Sequence, residues 1–451
     1  MSTNYAKNLL QRLISFESVS ADPKRHDALI GAAEFIKTEL ENIGFKVELV
    51  NTQTPRPLIC AFLNGSENGK MIGVYAHYDV QPEDPLGEWD SEPFVLTEKN
   101  AKFYGRGVAD DKGHLAQAIS AIKELKSEGE PRNSIVFVFE GEEEAGIAKF
   151  EELLQDVKIV DLSKVDVWYV LDMGMKSKGV PQIFTGLRGI VSGELVIETS
   201  QSDAHSGIFG NRIPSAAQLL VNIFASVKDQ TTGKVNIPGF YDDILPVSIE
   251  EYSSLVENAD TIDELKERSK THKVLENQFV PDMYPANMPV SLYSKLLPSF
   301  EINGIWSGYT GIGTKTIIPG RGSAKFSVRV VQGQNGEKMK KLISAYFAGI
   351  IPKWAKYKLT LGSSEAVGTN TDNVWIDRTK QILEKHFNQK IIFNRSGGSI
   401  PAAEILSRLY QKPIVMMGFT LPDENIHAPN ENIDKDMFFE GIKVLKNIFT
   451  I

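Results

Sequence analysis

A two-domain α/β fold is predicted by three observations on the chain. Short apolar runs alternate with helical patterns up to about residue 188, the pattern of a sheet covered by helices on both faces. Near Gly189 the pattern changes to half-exposed strands and amphipathic helices, and from about residue 372 the first pattern resumes. Residues 1–188 and 372–451 are therefore read as one discontinuous domain built on a central mixed sheet. Residues 189–371 are read as an inserted α+β domain.

Leu9, Leu10, Leu13 and Ile14 recur at helical spacing, so a first helix is expected over about 4–18. A second, about 23–43, ends at Gly44. Strand-like runs follow at Phe45–Val50, Leu58–Leu63, Met71–Ala76, Ile135–Glu140 and Val165–Leu171, with a helix from Asp111 to just before Gly129. In the insert, Ile190–Thr199 alternates apolar and polar residues, as a half-exposed strand does. A helix (about 213–228), a strand (Ser323–Val331), a helix (about 336–348) and a strand (Tyr357–Leu361) complete a β-α-β-β-α-β-like layer. Residues 229–300, rich in Pro, Asp and Tyr, interrupt it, with one helix expected at 260–271; the stretch is read as an insertion over the site. The last part holds helices near 374–387 and 402–409, a strand at Pro413–Met417 and an amphipathic helix near 434–449.

The 451 residues suffice for two or three domains with a substantial core. A net charge of −9 argues against nucleic acid as a partner. No run approaches the ~18–20 apolar residues of a membrane span, and the N-terminus lacks a signal-peptide pattern. The single cysteine, Cys60, excludes a disulfide within the chain and reads as a small core residue; a cytoplasmic location is expected.

The chemistry lies in five short segments: His77-Tyr78-Asp79, Asp110-Asp111, Glu142-Glu143, Asp172 and His427. Together they supply imidazoles, terminal carboxylates, a carboxylate able to bridge and a carboxylate free to act as base, the inventory of a two-metal hydrolase. Residues two apart on an extended strand end point the same way, so Asp79 can accept the second ring N–H of His77. Asp111 opens a helix, where an acid is equally expected as a cap, whereas Asp110 is free to point into a site. Glu142, Glu143 and Glu144 come directly after a buried strand, where like charges cost energy without cations. Neighbouring glutamates there can split the roles of ligand and proton acceptor, because a bound metal lowers the pKa of water from ~16 to about 7. Taken singly, Asp172 could be a cap and His427 a loop residue. His77, Glu142 and Asp172 each fall just past an apolar run, where open α/β sheets collect their chemistry.

Six segments together resemble the M20 metallopeptidases, and within them the carnosinase-like dipeptidase branch. They are Tyr75-Ala-His-Tyr-Asp-Val-Gln-Pro82, Gly105-Arg-Gly-Val-Ala-Asp-Asp-Lys-Gly113, Phe139-Glu-Gly-Glu-Glu-Glu-Ala-Gly146, Leu187-Arg-Gly189, Ala204-His-Ser-Gly207 and Arg395-Ser-Gly-Gly-Ser-Ile-Pro401. The resemblance implies a zinc-exopeptidase-like catalytic domain, an inserted ferredoxin-like dimerisation and lid domain, and a homodimer. It implies two divalent ions, zinc with manganese or cobalt as alternatives. One would be held by His77, Asp110 and Asp172, the other by Asp110, Glu143 and His427. Asp110 would bridge across a cis Asp110–Asp111 bond, Asp79 would orient His77, and Glu142 would serve as general base to a metal-bound hydroxide. His205 would reach the partner subunit's site and stabilise the oxyanion. Thr316 and Arg329 would contact the substrate's terminal carboxylate, Arg329 by bidentate pairing. Gly397, Gly398 and Ser399 would let the substrate approach the backbone.

Three positions depart from the family pattern. Ser396 stands where related dipeptidases carry an acid that could meet a free amino group. Ala76 replaces a usual glycine. His114, one turn into a helix, reads as a packing or surface residue rather than a third metal ligand. The expected function is cleavage of dipeptides or short peptides with a free C-terminal carboxylate. The alternative is an N-acyl amino acid amidohydrolase of deacetylase or desuccinylase type, which Ser396 favours. A binding-only protein on this fold would have eroded ligands, and none is missing here.

Overall fold

The fold is given by a computed structural model. It describes residues 2–51, 56–66, 68–145, 149–229, 232–247, 249–261, 263–265 and 288–451. The chain divides into two compact units: Met1–Thr185, Thr369–Asn394 and Ile400–Ile451 form one, and Gly186–Gly368 with Arg395–Ser399 the other. The segment Arg395–Ser399, read from sequence as part of the first domain, clusters with the second unit.

In the first unit the strands lie in the order Lys46–Val50, Leu58–Leu63, Ser134–Glu140, Met71–His77, Val167–Val170, Ile414–Met416, Gln182–Leu187. The middle four are parallel, with Tyr75 opposite both Val138 and Val170 and Met416 opposite Val170. The outer pairings are antiparallel. The last residues of Gln182–Leu187, Gly186 and Leu187, pair with Gly368 and Val367 inside the second unit. The central strands are apolar almost without alternation because both faces are covered. Gly73 has no alternative: a Cβ there would stand 2.3 Å from the Trp168 ring.

Helices Ser2–Ile14, His26–Ile43, Lys112–Glu128, Val374–Phe387 and Lys435–Ile448 contribute to a single core in which Leu10, Ile36, Ile119, Phe137, Phe139, Phe438 and Leu445 are buried. Their ends follow local chemistry. Gly44 closes the second helix at φ 108°, Asn373 accepts from the Trp375 and Ile376 amides, and Asp434 accepts from those of Asp436 and Met437. A three-stranded ribbon of Thr97–Lys99, Lys102–Tyr104 and Asn432–Asp434, not expected from the sequence, ties the segment before Asp110 to the segment after His427.

The second unit is a four-stranded antiparallel sheet in the order Ser299–Ser307, Arg321–Val330, Gly189–Glu198, Lys356–Ser364. Helices Ala216–Val227 and Gly336–Ile350 pack on the face carrying Val191, Leu195, Ile197, Phe326 and Val328. This is the β-α-β-β-α-β arrangement. Its strand Ser299–Ser307 begins at the end of the stretch 229–300 read as an interruption and was not expected. A register shift between Ile302 and Gly304 breaks the alternation by which a strand is recognised. The helix expected at 260–271 falls largely outside the described residues. Two others there, Ile249–Glu257 and Val290–Leu296, were not anticipated. Among the described residues no helix is long and apolar enough to cross a membrane.

Candidate active site

Because the four central strands of the first unit are parallel, their carboxyl ends share one edge. His77 ends one strand, Glu140 ends a second and leads into Gly141–Glu144, and Asp172 follows the third by two residues. The fourth, Ile414–Met416, leads into the loop that carries His427. Asp110 arrives from the ribbon and opens the helix Lys112–Glu128.

His77 is buried, and its Nε2 lies 3.0 Å from Asp110 Oδ1. The other oxygen, Asp110 Oδ2, lies 2.9 Å from His427 Nε2. One carboxylate thus presents an oxygen to each imidazole, across a peptide bond to Asp111 that is cis. His427 sits at φ 62°, a left-handed conformation sparsely used by residues other than glycine. Three sets of potential ligand atoms fall within 4.8 Å of one another: His77, Asp110 and Asp172; His77, Glu143 and Glu144; and Asp110, Glu144 and His427.

This grouping differs by one residue from the expected one. The set with Asp110 and His427 contains Glu144 where Glu143 was expected. Glu142, expected as the base, is in none of the sets; its Oε1 lies 3.0 Å from Arg56 Nη1. The physical reason is the turn. Gly141 packs against the Tyr78 ring, with room for no Cβ, and Glu143–Ala145 forms a 3-10 turn. Strand alternation ends at Glu140, so a run of three acids carries no signal of which one faces the cluster.

Asp79 also acts differently. The strand ends at His77, and His77 Nδ1 is closer to the Asp79 carbonyl (3.1 Å) than to its carboxylate (3.5 Å). The carboxylate instead accepts from the amides of Glu143 and Glu144 at 3.2 and 3.0 Å. Asp111 accepts from the His77 amide and pairs with His114 Nδ1 at 2.5 Å. His114 Nε2 accepts from the Phe419 amide, so both ring nitrogens are engaged and the residue is a packing element, as read.

Glu431 was not picked out from the sequence. Fully buried, it accepts from Arg106 Nη1 and the Gly107 amide on one oxygen, and from the Ala109 and Asp110 amides on the other, at 2.7–3.0 Å. An acid four residues after His427 was the available signal, but nothing local says that it faces another loop.

Burial would raise the Asp110 carboxyl, yet hydrogen bonds from His427 and His77 hold it well below the usual range. Burial, then the charge of Asp110, pushes Asp172 well up. Burial, opposed by His77 and reinforced by Glu144 and Asp110, pushes Glu143 up to about 7. Hydrogen bonds to Asp110 and Glu144 raise His427 to about 10. Among the described residues no hydrogen-bond donor reaches the carboxylates of Asp172 or Glu143, and Glu144 Oε1 has His427 Nε2 at 3.2 Å. Acids packed this closely with so few donors fit a pair of divalent cations, and mixed carboxylate and imidazole donors suit zinc, manganese or cobalt.

The remaining candidates lie in the second unit. His205 is exposed and pairs across a short ribbon with Ile317, and the Ser206 amide donates to Thr316 O at 3.1 Å, so His205 and Thr316 are neighbours. Arg329 Nη1 donates to Ser399 Oγ at 2.9 Å. Arg188 holds Gly397 O through Nε at 2.7 Å and Gly398 O through its amide at 3.0 Å, and the Ser396 hydroxyl accepts from the Gly398 amide.

Fold and cluster together define an α/β metallohydrolase. The comparisons give the family: residues 73–450 match the model of peptidase family M20/M25/M40, and the chain belongs to that family as a metallo-dipeptidase-type enzyme. It is 28% identical to the Beta-Ala-His dipeptidase of Homo sapiens, over 97% of this chain and 87% of that protein. It is equally 28% identical to the Cys-Gly metallodipeptidase dug1 of Schizosaccharomyces pombe, over 96% and 93%. The crystal structure of human carnosine dipeptidase 1 superposes with a TM-score of 0.82 at 27% identity, covering 99% of this chain and 96% of that one.

Proposed function

We propose that this protein is a two-metal dipeptidase that hydrolyses dipeptides or short peptides bearing a free C-terminal carboxylate. The observation that carries the reading is Asp110, shared between two sets of ligand atoms and presenting one oxygen to each imidazole. Relatives named for dipeptide hydrolysis over nearly the whole chain support it. His77, Asp110 and Asp172 would hold one divalent ion and Asp110, Glu144 and His427 the other. When bound, the ions polarise the scissile carbonyl and acidify water.

Glu143 takes the role first expected of Glu142. Its carboxylate faces the cluster, is free of hydrogen-bond donors among the described residues and is shifted up to about 7. That suits a base that accepts the proton of the attacking water and returns it to the leaving amine. Asp79 fixes the turn that aims Glu143 and Glu144. His205 accepts the Gly207 amide on Nδ1, so its neutral ring carries the proton on Nε2, the donor needed to stabilise an oxyanion in the partner subunit of a homodimer. Arg329 and Thr316 would receive the substrate's terminal carboxylate.

A second reading, an N-acyl amino acid amidohydrolase on the same scaffold, is favoured by Ser396 alone. Its hydroxyl closes the local turn and offers no charge to a free amino group.

Two measurements test these readings. Glu143→Gln should lower kcat by ~10²–10⁴-fold with metal content retained, while Glu142→Gln should cost far less. The reverse order of effects would restore Glu142 as the base. Metal-stripped protein re-supplied with Zn²⁺ or Mn²⁺ should cleave free dipeptides; cleavage of only their N-acetylated amino acid counterparts would establish the amidohydrolase.

A further inference from the structure

Within the second unit, the segment Arg395–Ser399 is held by two sets of contacts. The first comes from strand ends. The Ser396 amide donates to Gly186 O at 2.8 Å, the Arg188 amide to Gly398 O at 3.0 Å, and Arg329 Nη1 to Ser399 Oγ at 2.9 Å. The second comes from two helices of the inserted stretch, Ile249–Glu257 and Val290–Leu296. These helices share a small apolar core of their own, in which Leu255, Leu292 and Leu296 are buried. Ser294 lies directly against the loop: a Cβ at Gly397 would stand 3.1 Å from the Ser294 carbonyl oxygen and 3.3 Å from its Cβ.

Glu251, on the first of these helices, makes the strongest contact to the loop. Arg395 Nε donates to its Oε1 at 2.7 Å and Arg395 Nη2 to its Oε2 at 2.9 Å, the two-pronged pairing that fixes direction as well as distance. The Arg395 and Glu251 side chains are only 12% and 19% exposed, so salt and water screen the pair little. The loop needs such a hold. Ser396, Gly397 and Gly398 belong to no helix or strand, and two successive glycines leave a backbone many conformations. Both Glu251 oxygens are engaged by Arg395, so this acid does not replace the one absent at position 396; it holds the loop.

We infer that Glu251 is a positioning residue for substrate binding: through Arg395 it fixes Ser396–Ser399 in the conformation that meets the substrate. The helices Ile249–Glu257 and Val290–Leu296 are thereby part of the binding apparatus. This rests on the reading above, in which Arg329, bonded to Ser399 of the same loop, receives the terminal carboxylate. Glu251 takes no part in the hydrolytic machinery. Loss of the pair is therefore felt in substrate affinity and not in the chemical step.

The test is the steady-state kinetics of metal-loaded Glu251→Gln, which keeps the shape and loses the charge, with Ala-Ala and N-acetyl-Ala as substrates. With whichever is cleaved, KM should rise about tenfold while kcat stays within about twofold. Glu257→Gln, an exposed position on the same helix, should move neither. Glu251→Arg combined with Arg395→Glu should recover most of the lost affinity, which a merely weakened fold would not do. A KM unchanged in Glu251→Gln, a kcat that falls as far as KM rises, or no recovery in the exchanged pair overturns the inference and leaves the dipeptidase reading standing. Cleavage of neither substrate by the unmodified protein overturns that reading instead. Hydrogen–deuterium exchange then decides the inference. The Ser396 and Gly398 amides should exchange at least about tenfold faster in Glu251→Gln, and an unchanged rate overturns it.

Discussion

Glu431 shows how a residue outside every set of ligand atoms can govern the site. Its carboxylate accepts four hydrogen bonds, one from the amide of Asp110 itself, and lies four residues from His427. One loop therefore both delivers an imidazole and shapes the loop that delivers the shared carboxylate. Glu431→Gln would turn a donor toward the Gly107 amide or the Ala109 and Asp110 amides. We expect divalent-metal affinity to fall ~10–100-fold, measured by calorimetric titration of the folded variant. Cys60 allows a simpler check at the same scale. It is fully buried, and burial pushes its thiol well up. It should resist a disulfide-exchange reagent in the native protein and react fully in denaturant; rapid labelling without denaturant would contradict the packing of the strand Leu58–Leu63.

At the scale of elements, the parallel strands do the positioning, and their packing is the part most sensitive to substitution. Gly73→Ala would drive a methyl into the Trp168 ring between two strands that carry ligands at their ends. A loss of about 1–3 kcal/mol is expected from denaturant unfolding. Asn373→Ala should cost about 1 kcal/mol by removing the cap that closes the start of Val374–Phe387. Elements with a clear period are legible in the sequence. Leu58–Leu63, Lys112–Glu128 and Val374–Phe387 lie where the pattern predicts them. Gln182–Leu187, Ser299–Ser307 and the ribbon strands are not, because they are short, bulged or apolar without alternation.

For the whole molecule, each unit has its own buried core, and the acids that await cations lie in the first. Chelation should therefore lower the thermal transition of the first unit selectively, and added Zn²⁺ or Mn²⁺ should restore it in proportion to ligand concentration. Calorimetry with and without chelator reads this directly; a transition unmoved by metal would argue against the two-metal site.

The sequence by itself determined the α/β class, the insertion of a second layer near Gly189, the five acid and histidine segments and the family they resemble. Hydrophobic period and residue type are local properties, and the segments fall at strand ends where any open α/β sheet gathers its chemistry. Only the tertiary structure decided which of Glu142, Glu143 and Glu144 faces the cluster and what Asp79 and Glu431 hold. Each of those depends on a turn without period or on a contact between segments far apart in the chain. Gly141 packed under Tyr78 sets the first, and the Asp434-to-Lys102 ribbon sets the second.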